Sequence, residues 1–146
     1  MTELSRNEPG MTFWFVAGFF LVFNLSGLMI YYMQVTADPE FIAQNYSAAE
    51  QAFLTGTPKW STAAFALAVN SGILASILLL LRKTWALPIF VFSIVCVLLH
   101  DFDGFVLRKG LEVWGSNGLI IPGIIVVICA AEIWYTYHVR AKGWLD

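Results

Sequence analysis

Charge is scarce in this sequence. Lys, Arg, Asp and Glu make up 12% of its 146 residues, where soluble domains carry about 25%. A soluble fold is thereby disfavoured, and so is a disordered chain, which needs high charge and low hydrophobicity. Basic residues are fewer than acidic ones, eight against ten, for a net charge of −2. No basic field exists for a nucleic-acid backbone. Cysteine is nearly absent: only Cys96 and Cys129 occur, with no CxxC and no zinc-ligand spacing. Two Cys in apolar surroundings read as small packing residues. The two histidines, His100 and His138, are too far apart in depth to share one haem between paired helices. P-loop, GxSxG, HExxH and Gly-rich nucleotide turns are also missing. The sequence therefore gives no reason to expect a cofactor or a metal.

What the chain has instead is apolar length. Hydrophobic residues are 59% of the total, and mean hydropathy is +0.73. Four apolar runs, 13–33, 60–81, 86–107 and 118–137, each hold 20 residues or slightly more. About 20 residues of helix cross a hydrocarbon core of roughly 30 Å. The alternation of a barrel strand is absent from all four, so they predict transmembrane helices. The expected fold is an all-α membrane protein, one domain with four spanning helices in an antiparallel bundle. The first run is longer than a signal-peptide core, and no small-x-small cleavage site follows it. Trp14, Tyr31, Tyr32, Trp60, Trp85, Trp114, Trp134, Tyr135 and Trp144 fall near span ends, where amphipathic rings favour the interface. Arg6, Arg82, Lys83, Arg140 and Lys142 share one side, against Lys59, Arg108 and Lys109 on the other. The positive-inside rule then predicts both termini in the cytoplasm.

The one sizeable loop, 34–59, carries its own helix signal. Asp38-Pro39-Glu40 reads as an N-cap, a Pro at N1 and an acidic first turn. Ile42, Tyr46, Ala49 and Phe53 then form an apolar stripe. A short amphipathic helix over about 39–54 is expected to cap the bundle. Asn45-Tyr46-Ser47 matches a glycosylation acceptor, a pattern common by chance.

Polar residues inside the spans are the functional candidates, since lipid makes each one costly. Asn24 and Asn70 both fall near the midplane, where antiparallel packing would bring them together. Ala64, Ala68, Gly72 and Ser76 form a small-residue ladder that admits close helix packing, within the chain or with a second copy. His100, Asp101 and Asp103 crowd the third span, and an imidazole beside a carboxylate can relay protons or hold a cation. Glu132 lies in the fourth span, either as a functional acid or reaching to Arg82, Lys83 or Arg140. Its depth differs from that of Asp101 by roughly 15 Å, so the two do not form one compact site. With Asn24 and Asn70 between them they outline a polar path.

Three segments carry a family likeness: Leu78-Leu79-Leu80-Leu81-Arg82-Lys83-Thr84-Trp85-Ala86-Leu87-Pro88-Ile89-Phe90, Tyr31-Tyr32-Met33-Gln34-Val35-Thr36 and Ala141-Lys142-Gly143-Trp144-Leu145. They resemble a family of small four-helix bacterial inner-membrane proteins, many of which bear the label sugar transporter without an assigned chemistry. The resemblance implies a bacterial cytoplasmic membrane and the same four-span plan. The His100-Asp101 pair falls outside it. Three functional readings compete. The first is a non-enzymatic accessory subunit packed against a larger membrane complex. The second is an oligomeric transporter or channel component using Asn24, Asn70, His100, Asp101, Asp103 and Glu132. The third is a membrane enzyme acting on a lipid or quinone. The partners these readings call for are the lipid bilayer and either a larger complex or further copies of the chain.

Overall fold

The computed structural model describes residues 8–146; Arg6, counted above in the charge balance, lies outside them. Seven α-helices occur among the described residues: α1 (Met11–Val35), α2 (Pro39–Asn45), α3 (Ala48–Thr55), α4 (Lys59–Leu80), α5 (Ala86–Phe102), α6 (Gly110–Trp114) and α7 (Ile120–Ala141). A π-helical segment, Asp103–Leu107, extends α5, and a 3-10 turn, Ser116–Leu119, leads into α7. Four stretches are long and apolar enough to cross a membrane: Met11–Val35, Lys59–Leu80, Ala86–Leu107 and Ser116–Ala141. The expected four-helix membrane bundle is what the chain forms.

Consecutive spans pack side by side: α1 on α4, α4 on α5, and α5 on α7. The small-residue ladder sets this order. Ala64, Ala68, Gly72 and Ser76 are all buried, so α4 lies at the centre with its neighbours drawn close. The ladder is used within the chain, against α1 and α5. Lipid tails are as apolar as Leu, so close backbone approach is what large side chains cannot supply.

The end of the bundle near the N-terminus of α1 and the C-terminus of α7, here the terminal end, is the well-packed one. Phe13, Ala17, Phe20, Ala75, Leu79, Ala86, Phe90, Val139 and Leu145 form its core. Phe20 meets Phe90 and Tyr135 edge-on at 6.3 and 5.8 Å. The chain end closes this core from below. Gly143, with φ of 73°, ends α7 in a left-handed turn, and the Trp144 N–H donates to Val139 O at 3.1 Å. Arg82 adopts the same left-handed conformation after α4, and its Nε donates to Trp144 O at 2.8 Å. The Asp146 N–H donates to Arg82 O and the Thr84 N–H to Asp146 O, at 2.6 and 2.9 Å. Leu145 is thereby tucked into the core.

At the opposite, loop end, the expected single helix over 39–54 is two. Asp38 caps α2 by accepting from the Glu40 N–H at 3.0 Å. Ser47 then starts a second helix with a full capping box: its N–H donates to Glu50 Oε2, and the Glu50 N–H donates to its Oγ. The local capping chemistry at Ser47 outweighs the continuous apolar stripe and leaves Tyr46 extended. Tyr46 and Phe53 both pack edge-on against Trp114 of α6, at 6.2 and 6.0 Å.

Candidate functional site

Asn24 is the polar centre of the bundle. Its Nδ2 donates to Phe20 O at 2.9 Å, to Ser76 Oγ at 3.1 Å and to Glu132 Oε1 at 2.6 Å. An amide has two N–H groups, so three acceptors mean that one bond is shared. The group ties α1 to α4 and, across the bundle, to α7. Glu132, Ser76 and Asn24 are all buried. Ser76 gives its own proton to Gly72 O at 2.8 Å, which leaves its lone pairs for Asn24. Gly72 is required by geometry: a Cβ there would overlap Asn24 Oδ1 and lie 2.8 Å from Asn24 Cγ. Ser93 completes the layer by donating to Ala68 O at 2.8 Å, joining α5 to α4. Thr136 donates to Glu132 O one turn back on α7, at 2.7 Å.

Two expectations from the sequence need correction here. Asn70 does not meet Asn24. It is exposed on the outer side of α4 and donates only to Ala66 O of its own helix, at 2.8 Å. The reason is angular: α4 presents Gly72 and Ser76 to α1, and Asn70 lies about 160° from Gly72 at 100° per residue. Nor does Glu132 turn to Arg82, Lys83 or Arg140; it turns to Asn24. The fourth span continues to Ala141, beyond the expected end at residue 137. Glu132 is thus about 13 Å from the helix end, close to the level of Asn24.

The loop-end polar residues form separate groups. Ser61 Oγ lies 2.9 Å from His100 Nδ1, and the His100 ring stacks on Phe65 at 4.8 Å. Asp103 is buried and accepts from Arg108 Nε at 2.8 Å. This pair depends on the π turn, in which the Arg108 N–H bonds Asp103 O five residues back. Arg108 Nη1 also donates to Phe53 O at 2.7 Å and Thr57 Oγ1 at 3.1 Å. Its guanidinium lies 4.2 Å from the Phe53 ring centroid. One arginine thereby fixes α3 and the α3–α4 link to the end of the third span. Nothing in a 3.6-residue periodicity signals an i,i+5 pair. The Ser61–His100 contact is likewise set by tertiary packing alone.

Asp101 stands apart: among the described residues it has no hydrogen-bond or ion-pair partner. It lines a loop-end cavity of about 310 Å³ with His100, Arg108 and Trp114. A second, apolar crevice of about 80 Å³ opens between α1 and α7. Asn24, Ile30, Val97, Ile125 and Cys129 are among the residues that line it. Cys96 and Cys129 are both buried and unbridged. The sequence-derived candidates therefore fall into three places: Asn24 with Glu132, then His100, Asp101 and Asp103 at the loop end, then Asn70 on the outside.

No protein-family model matches the chain, no curated protein matches its sequence, and no solved structure matches its fold. Four apolar spans decide the broad class. The chain is a small multi-pass membrane protein. Its membrane-buried polar side chains chiefly hold one helix to another.

Proposed function

We propose that this membrane protein is a non-catalytic accessory subunit that packs beside a larger complex in a bacterial cytoplasmic membrane. The observation behind this reading is the use to which its buried polar groups are put. Asn24 donates to both Ser76 and Glu132, Ser93 donates to α4, and Thr136 bonds within α7. These are structural ties. A shallow apolar groove of about 540 Å³ between α5 and α7 faces outward, lined by Leu87, Val91, Ile94, Ala130, Trp134 and Tyr137. Its apolar lining suits a partner's helix. The bias of Arg82, Lys83, Arg140 and Lys142 to the terminal end favours placing both termini in the cytoplasm.

Purification in a mild detergent tests the reading. A larger membrane protein should accompany the chain at fixed stoichiometry; a lone monomer, or a complex made only of further copies, would overturn it. Glu132→Gln separates this role from transport. A glutamine Oε1 still accepts from Asn24, so the variant should assemble like the wild type. A transporter that uses Glu132 as a station in its path would instead lose flux in liposomes.

A further inference from the structure

We propose that the loop-end cavity and the crevice below it hold one phospholipid whose head bears both a phosphate and an ammonium group, the chemistry of phosphatidylethanolamine. Among the described residues, the cavity wall carries an unpartnered carboxylate and, close by, an unused guanidinium N–H of Arg108, whose charge Asp103 balances. Asp101 offers a carboxylate with no partner among the described residues, inside a membrane-spanning segment, where an unpaired charge is costly. Arg108 commits Nε and Nη1 to Asp103, Phe53 and Thr57. Its Nη2 has no hydrogen-bond partner among the described residues and sits beside Gly104, which lines the same cavity. A simple anion would meet Asp101, and a simple amine would leave the Arg108 Nη2 donor without an acceptor. A zwitterion satisfies both, with its phosphate at Arg108 Nη2 and its ammonium at Asp101 beside the Trp114 ring.

The crevice makes the occupant a lipid. Val97 lines the crevice one turn before Asp101 on α5. Phe65 lines it too and stacks on His100, a wall of the cavity. The polar pocket and the apolar slot are therefore neighbours on one side of α5. Asp101 lies about 9 Å inside the end of its span, near the depth at which a lipid's glycerol gives way to its acyl chains. At about 80 Å³ the crevice takes the first few methylenes of an acyl chain, the rest lying in the bilayer, and has no room for a helix. The outward α5–α7 groove assigned above to a partner is a different surface, so this inference stands or falls independently of that role.

Native mass spectrometry of the detergent-purified chain tests it, with phosphatidylethanolamine and phosphatidylglycerol added in equal amounts. The wild type should retain one phosphatidylethanolamine with about tenfold preference. Asp101→Asn should retain the two lipids equally while keeping its circular dichroism, since Asp101 makes no bond that the fold needs. Val97→Phe, which fills the crevice, should lower retention of both. Soluble glycerophosphoethanolamine should not displace the bound lipid. Equal retention by the wild type would overturn the proposal. So would an undiminished preference in Asp101→Asn, unchanged retention in Val97→Phe, or displacement by the soluble head group.

Discussion

The two halves of the bundle are built from similar apolar residues and pack very differently. Toward the terminal end, α1 buries Phe13, Ala17, Phe20 and Asn24, and α7 buries Cys129, Glu132, Thr136 and Val139. Toward the loop end, residues 25–35 of α1 and 120–128 of α7 include no buried residue, while α4 and α5 stay packed on each other. The helices α1 and α7 thus meet in one half and part in the other. The difference lies in what they bring to the seam. The closed half has interlocking rings, the folded-back chain end and the Asn24–Glu132 bond. The open half offers Leu25, Met29, Ile30 and Ile124, which lipid solvates as well as another helix does. In a bilayer, hydrophobicity alone does not close a seam; shape and hydrogen bonds do.

The largest break should come from Asn24→Leu. It removes the donor to Ser76 and Glu132 and leaves a carboxyl stranded in the closed half. One hydrogen bond in a membrane averages about 0.6 kcal/mol, but a buried polar group left without its partner costs about 1–3 kcal/mol. Together these predict a loss of about 3 kcal/mol in an SDS-induced unfolding titration in mixed micelles. Adding Glu132→Leu should recover part of that loss. If the double variant is as unstable as the sum of the singles, the two residues are not coupled and the seam is held by rings alone.

Glycine substitutions compare the halves directly. Gly72→Ala would push a Cβ into Asn24, and overpacking of this kind costs typically 1–3 kcal/mol. Gly123→Ala, in the open half of α7, meets nothing within 4 Å and should shift stability by under about 0.5 kcal/mol. The same titration reads both. A large loss at Gly123 in the purified chain would mean that the open half closes in solution. A smaller test is Ser93→Ala, which deletes a single bond to Ala68 O and should cost about 0.6 kcal/mol.

The spans were legible in the sequence because apolar length is a local property, and α1, α4 and α5 begin and end within a few residues of the runs that predict them. Asn24 and Glu132 stand out in the sequence too, as polar residues within apolar runs. Their pairing is not legible there. It depends on α7 extending to Ala141 and on which face α4 turns to α1, and both are tertiary facts. The Asp103–Arg108 pair was hidden for another reason: a π turn changes the spacing at which side chains meet. The break between α2 and α3 could have been read from Ser47 and Glu50, a capping box inside an otherwise continuous stripe.

The smallest effect should be at Asn70, and it sharpens the comparison most because its side chain is identical to that of Asn24. Asn70 faces outward and satisfies itself on Ala66 O. In an SDS-unfolded state that remains helical, it keeps this same bond and the same apolar surroundings. Asn70→Leu therefore changes folded and unfolded states alike, and stability should move by less than about 0.5 kcal/mol. Asn24→Leu changes only the folded state. If Asn70→Leu is silent in the isolated chain yet weakens a purified assembly, Asn70 has its partner on another protein, and the outer face of α4 is part of that interface. If it costs as much as Asn24→Leu in the isolated chain, then burial inside the bundle is not what gives an intramembrane amide its value.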